Sequence, residues 1–328
     1  MVRFAAICFA VFGSGVFGMA PSLAQPKGDP KPVLVNVRGF DFTYAATFKD
    51  LPQGKTLNAW LPLPQTTLDQ VISISSATIP GKSSIASEPQ YGNQMLYFEA
   101  IPDAKGQVTV SLTFKIKRSE FRDDYRQPGA EKIDRFLQAD KLVPLEGKPL
   151  TLLKDHKLGP TQRDTGKILY DIVNNHMKYS KAGTGWGNGD AEWACDSKFG
   201  NCSDFHSLFI SLARANKIPA KFEMGFPIPP KRGEGTVGGY HCWAWLLPDG
   251  KGWMPVDISE ANQHPQLKDY YFGNLTADRV MFTTGRDIDL VPRQKGPALN
   301  FFIYPYAELG GQPLPTEQIQ RSFAYKDF

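Results

Sequence analysis

Cysteine is scarce in this chain, and the scarcity limits what its thiols can be. There are 4 in 328 residues, at positions 8, 195, 202 and 242, and no two are spaced as a Cys-x-x-Cys knuckle. A structural zinc site is therefore not expected. Long apolar runs are lacking beyond the first two dozen residues, so no later segment is long enough to cross a bilayer. An excess of one charge is also missing: 37 Lys and Arg against 33 Asp and Glu leave +4, with no basic stripe interleaved with aromatics. Nucleic acid is a poor partner for such a surface. No loop gathers acidic oxygen ligands as a calcium site does, and neither internal repeats nor low-complexity tracts occur. What is present is the composition of a globular chain, 41% hydrophobic and 21% charged, long enough for about two domains.

The N-terminus, MVRFAAICFAVFGSGVFGMAPSLAQPKGDPKP, combines one Arg, an apolar stretch from Phe4 to about Ala20, and the small-x-small tripeptide Ser22-Leu23-Ala24. This pattern predicts a secretory signal peptide over residues 1–24, cleaved near Ala24, rather than a membrane anchor. The mature chain is then expected to be periplasmic or secreted, with no membrane attachment once the signal is gone. Cys8 leaves with the signal. Cys195, Cys202 and Cys242 remain, and an odd number in an oxidising compartment implies one pair and a leftover thiol, or three free thiols.

From Val33 to about residue 120 the hydrophobic period is two. Phe40, Phe42, Tyr44, Ala46 and Phe48 alternate with smaller or polar residues, and so do Val108, Val110, Leu112, Phe114 and Ile116. With turn signals at LPQGK, IPGKSS and IPDAKG, residues 33–120 read as a β-sandwich domain, free of Cys and His. Residues 121–160 read as a linker. In residues 161–328 the period changes: Ile168, Leu169, Ile172, Val173 and Met177 predict one amphipathic helix, and Phe205, Leu208, Phe209 and Leu212 a second. A Gly-rich loop, KAGTGWGNGDAEW, lies between them, and strand-like segments follow Pro219. The expected class is α+β, with a β-rich C-terminal extension.

The chemistry-bearing types converge on this second half. Cys202 falls at the start of the second predicted helix, behind Gly200 and Asn201, where unpaired N–H groups and the helix dipole favour a thiolate. A thiolate nucleophile needs an imidazole beside it and an acceptor to orient that imidazole. Of five histidines, His241 is the one on a strand, YHCWAWLL, joined through PDGKG to GWMPVDI. A tight hairpin turning at Asp249 or Gly250 puts Asp257 opposite His241 or one pair away, with facing Cβ atoms ~4.5–5.5 Å apart. Cys242, next to His241 on that strand, is expected on the opposite face. It is either buried as a thiol or paired with Cys195, the pairing being the sharper expectation.

These residues carry a family resemblance. GNCSDFHSLFISLARANKIPAKFEMGF, then GGYHCWAWL, then GWMPVDISEA, resemble the transglutaminase-like superfamily over about Thr161 to Asn262, with Lys221 where the Ile-Pro-Ala-Arg motif carries Arg. The resemblance implies a papain-like core behind an N-terminal β-sandwich, with Cys202 as nucleophile, His241 as general base and acid, and Asp257 orienting the imidazole. The implied activity is that of a cysteine hydrolase, peptidase or amidase, passing through a thioester on Cys202. A protein-crosslinking transglutaminase and a non-catalytic binding protein are the alternatives. The implied substrate is a peptide or protein amide, without cofactor or metal. The Cys202 backbone N–H is one oxyanion donor. The indoles of Trp186 and Trp193 are candidates for a second, with packing under the Gly-rich loop the preferred reading.

Overall fold

The two best period-two segments become strands whose inner faces are buried. Along β1 (Val37–Phe48) the five predicted residues from Phe40 to Phe48 are buried, and along β6 (Val108–Ser119) so are the five from Val108 to Ile116. The strands run antiparallel, from Val37 opposite Ser119 to Phe48 opposite Val108, which puts both buried sets on one face. The structure is a computed structural model describing residues 36–122, 126–129 and 131–328. The expected signal peptide at 1–24 lies outside them.

Two five-stranded sheets form around this pair. In the first, β11 (Glu234–Thr236), β18 (Ile319–Asp327), β1, β6 and β3 (Gln70–Thr78) follow one another. In the second the order is β17 (Gln312–Pro313), β16 (Tyr306–Leu309), β2 (Leu57–Leu63), β5 (Gln94–Ala100) and β4 (Lys82–Ser87). Phe48 of the first sheet meets Phe98 of the second with ring centroids 6.1 Å apart.

The sheets do not follow the division expected at residues 120 and 161. β18 pairs with β1, from Phe40 opposite Asp327 to Phe48 opposite Ile319, and β16 pairs with β2. The C-terminal stretch therefore completes both N-terminal sheets, and Val35–Phe328 is one compact unit. Nor is the 121–160 segment a bare linker. Its β7 (Phe121–Arg122) pairs with β14 (Asn274–Leu275), Phe136 and Val143 are buried, and Asp140 accepts a 2.6 Å hydrogen bond from the buried Arg214. Such pairing links residues remote in sequence, which composition and local period do not register.

The second half builds the site on a four-stranded sheet ordered β13 (Met254–Val256), β12 (His241–Leu246), β10 (Ala220–Pro227) and β15 (Arg279–Thr284). Its apolar side joins the sandwich through Phe226 and Phe282, which pack on Phe42 at centroid distances of 5.1 and 5.7 Å. The predicted helices are α1 (Gln162–His176) and α3 (Cys202–Ala215), with the shorter α2 (Ala191–Ser197) and α4 (Ile258–Gln263) beside them. A short parallel pair, β8 (Lys178–Tyr179) and β9 (Phe199–Gly200), leads into α3. Every residue of α3 from Cys202 to Arg214 is buried, so it is a central helix with no solvent face. Among the described residues no helix is long and apolar enough to cross a membrane.

Candidate active site

The start of α3 is fixed by its own side chains. Asn201 caps it, accepting the Ser203 N–H at 2.9 Å, while Asp204 Oδ2 reaches back to accept the Asn201 N–H at 2.9 Å. The same Asp204 carboxylate accepts the N–H groups of Gly187 at 2.8 Å and Gly189 at 3.0 Å, tying the Gly-rich loop to the helix start. Gly200 is glycine for a steric reason: a Cβ there would sit 2.5 Å from Asp204 Oδ2. Cys202 is thereby held as the first residue of α3, 3% exposed, at the positive end of a fourteen-residue helix.

His241 opens β12 near Cys202, close enough for each side chain to shift the other's pKa. Its Nε2 donates to Asp257 Oδ2 at 2.8 Å, which leaves Nδ1 as the nitrogen on the sulfur side. The structure thus brings Cys202, His241 and Asp257 together, but the last contact is made differently from the expected hairpin pairing. The β12–β13 ladder ends at Ala244 opposite Val256, and the connection runs through a short 3-10 turn at Pro248–Gly250. Asp257 lies beyond the ladder as the N-cap of α4, its Oδ1 accepting from Glu260 N–H and Ser259 Oγ at 3.2 Å each. A cap with both oxygens engaged is a more rigid mount than a strand residue.

Electrostatics follow from these contacts. Burial works against the charge on Asp257, but His241 and Arg279 hold its carboxyl well below the usual carboxylate range. Burial likewise opposes an imidazolium at His241, yet the Asp257 carboxylate and the Cys202 sulfur push its pKa up to about 10. For Cys202, burial favours the thiol, and it is outweighed by hydrogen bonds from Cys242 and His241 and by the imidazolium charge, which bring its pKa well down. Both directions favour a thiolate and an imidazolium over a neutral thiol and imidazole.

Three participants have no counterpart in the sequence-based set. Arg279, from β15, donates to Asp257 Oδ2 at 2.9 Å while its guanidinium sits 4.8 Å from the Trp243 ring centroid. No local pattern marks it. His206, one turn beyond Cys202, accepts the Ile258 N–H on Nε2 at 3.1 Å and donates from Nδ1 to the Cys202 carbonyl at 2.8 Å. Those partners fix its neutral tautomer, and burial pushes its pKa down to about 4. It braces the residue that bears the sulfur against the residue that follows Asp257, and its i, i+4 spacing from Cys202 was the available clue. Tyr240, next to His241, joins its hydroxyl to Ser203 Oγ at 2.8 Å and Asn201 Nδ2 at 3.0 Å, locking the strand to the helix cap.

The cysteine pairing is corrected. Cys195, Cys202 and Cys242 are all free and buried. Cys195 donates to the Lys148 carbonyl at 3.6 Å, whereas Cys242 lies 3.8 Å from Ser203 Oγ and 3.7 Å from His206 Nδ1, near enough to Cys202 to lower the pKa of that thiol. Alternation along β12 does turn Cys242 away from His241, but α3 crosses this end of the sheet, so Cys242 still meets Cys202. Burial and the adjacent sulfur keep Cys242 a thiol. The Trp186 indole donates to the Gly183 carbonyl at 3.1 Å within the loop, and Trp193, on α2, packs on Phe199 at a centroid distance of 5.3 Å. Among the described residues no group of three or more His, Cys, Asp or Glu side chains is arranged to hold a metal ion.

Residues 154–258 match the transglutaminase-like superfamily, a segment that contains the sulfur, the imidazole and the carboxylate. An uncharacterized protein of Haemophilus influenzae is 29% identical over 334 residues, covering 88% of each chain. In three dimensions the chain is similar to a crystal structure from Cytophaga hutchinsonii described as a candidate cysteine protease. The TM-score is 0.55 at 15% identity, over 89% of this chain and 92% of that one. At that identity the likeness shows the α+β fold alone, and the transglutaminase-like core is the segment that the family match covers.

Proposed function

We propose that this chain, with its transglutaminase-like core at residues 154–258, is an exported cysteine-dependent hydrolase of amide bonds. One arrangement carries the reading: Cys202 begins α3 beside His241, whose Nε2 is held 2.8 Å from the buried Asp257 carboxylate, and Cys202 and His241 each shift the other's pKa. In this mechanism the Cys202 sulfur attacks the amide carbonyl carbon, and the oxyanion is met by the Cys202 N–H. His241 gives its Nδ1 proton to the nitrogen as the C–N bond breaks, leaving a thioester on Cys202. Neutral His241 then takes a proton from water, which attacks the thioester, and the C–S bond breaks to restore the thiolate. Asp257 keeps the imidazole in orientation and stabilises its charge throughout.

Export rests on the N-terminal pattern of residues 1–24, and N-terminal sequencing of the mature protein from its native host tests it. The reaction is tested by incubating the purified protein with a mixed peptide library and a primary amine and weighing the products. Hydrolysed peptides, lost in Cys202→Ala, are the expected result. Products that persist in Cys202→Ala, or no products from either protein, refute the reading. Amine adducts in place of hydrolysed peptides would make the activity that of a transglutaminase.

A further inference from the structure

A cavity of 420 Å³ is walled by aromatic rings: Trp186 from the Gly-rich loop, Tyr240, Phe301, Tyr304 and Tyr306. Its size lies within the ~300–1,000 Å³ of small-molecule sites. The polar atoms of these rings are spent on the protein itself. The Tyr240 hydroxyl is bound to Ser203 and Asn201, the Tyr304 hydroxyl accepts the Tyr240 N–H at 3.4 Å, and the Tyr306 hydroxyl donates to Glu308 at 2.8 Å. The Trp186 indole is held by Gly183. The cavity thus offers mainly ring surface and one charge, the guanidinium of Arg321 on β18. No acidic residue lines it. Arg321 is half-buried with its guanidinium carbon 3.9 Å from the Tyr304 ring centroid, and among the described residues it has neither an ion pair nor a hydrogen bond. By contrast the buried Arg38, Arg126, Arg214 and Arg279 each meet a carboxylate.

A guanidinium packed on a ring keeps its fork of N–H donors for other partners, and that fork matches the two oxygens of a carboxylate. Ring faces by themselves attract cations, but Arg321 already supplies that cation on Tyr304 and repels a second. A bare anion gains nothing from the rings, whose faces are themselves electronegative. A molecule with an anionic end and a flat apolar body uses both features at once. We propose that this cavity is a binding site for an aromatic carboxylate, the carboxylate pairing with Arg321 while the ring packs on Trp186, Tyr240 and Tyr304. Free aryl acids carry that chemistry, and so does the C-terminus of a peptide ending in Phe or Tyr. Such binding needs no chemistry at Cys202 and goes beyond the hydrolase reading without depending on it.

The test is calorimetric titration of the full chain, carrying Cys202→Ala so that no probe is turned over, with 3-phenylpropanoate, neutral 3-phenylpropanol and protonated 3-phenylpropylamine. The acid should bind about tenfold more tightly than the alcohol, as one charge-assisted hydrogen-bonded pair gives, and the amine most weakly. Adding Arg321→Gln should erase the advantage of the acid over the alcohol. Adding Arg321→Glu should reverse the order in favour of the amine, a gain that misfolding cannot mimic. Trp186→Ala should weaken acid and alcohol alike. The tripeptide Ala-Ala-Phe is titrated in parallel: tighter binding than 3-phenylpropanoate assigns the site to peptide C-termini, and weaker binding assigns it to a free aryl acid. Equal affinity for acid and alcohol overturns the site. So does an acid preference that survives in Arg321→Glu, which would place the probe elsewhere on the molecule, and so does failure of both 3-phenylpropanoate and Ala-Ala-Phe to bind at millimolar concentration.

Discussion

Replacing Asp257 by Asn isolates the charge that sustains the imidazolium. The side chains are nearly isosteric, and the amide oxygen of the replacement can still accept from both His241 Nε2 and Arg279 Nη1, now 2.8 and 2.9 Å from one carboxylate oxygen. What is lost is a full negative charge. With charge centres ~4 Å apart and an effective dielectric of about 20, the interaction is about 4 kcal/mol, or about 3 pKa units. Arg279 does not soften the change, because its guanidinium, no longer neutralised, opposes the imidazolium further. The comparison is cleanest without the coupled thiol. In a Cys202→Ala background, the His241 imidazole should titrate about 3 units lower once Asp257→Asn is added than with Asp257 intact. Nitrogen NMR of histidine-labelled protein reads this directly, since the chain has only 5 histidines. A difference under one unit would show that burial and sulfur, not the carboxylate, set the imidazole, and the electrostatic account of the site would fail.

Other consequences follow from the same contacts. His206→Phe removes the acceptor of the buried Ile258 N–H and should cost about 1–3 kcal/mol in urea unfolding; an unchanged midpoint would remove His206 as a brace. Asp204→Ala deprives three backbone N–H groups of their acceptor, so the unfolding midpoint should drop and limited proteolysis should cut first within residues 181–189. Iodoacetamide should alkylate Cys202 well below the pH at which an ordinary thiol reacts, and His241→Ala should abolish that advantage. Stability should depend on pH with a definite sign. The raised pKa of His241 contributes fully below its unfolded value of about 6.5 and is lost as pH rises through about 10, while the lowered pKa of Cys202 contributes above its unfolded value of about 8.5 and is lost on acidification. Between about 6.5 and 8.5 the two changes offset, so the native protein should show a plateau there and weaken from about 8.5 to about 10. Cys202→Ala should lose the plateau and begin to weaken near 6.5, a contrast that urea midpoints across the range would reveal or deny.

Much of this architecture is local and therefore readable from the chain. Alternation in β1 and β6 marks which faces are buried because a pleated strand sends successive side chains to opposite sides. The start of α3 is equally local, since Gly200, Asn201 and Asp204 act on one another within a single turn. Those patterns place Cys202 at a helix start and His241 on a strand without any knowledge of the fold.

What local pattern does not carry is the meeting of segments far apart in the chain. That β18 closes the sheet begun by β1, and that β16 pairs with β2, depends on hydrogen bonds across most of the chain's length. Arg279 reaches the α4 cap residue Asp257 from β15, and Cys242 comes near Cys202 because α3 packs against β12, whatever the rule about faces within the strand. The residue types and the local conformations of the site were written in short windows of sequence. Its charge state, the fate of its thiols and the cavity beside it emerged from long-range packing, because burial and proximity depend on neighbours that sequence order does not reveal.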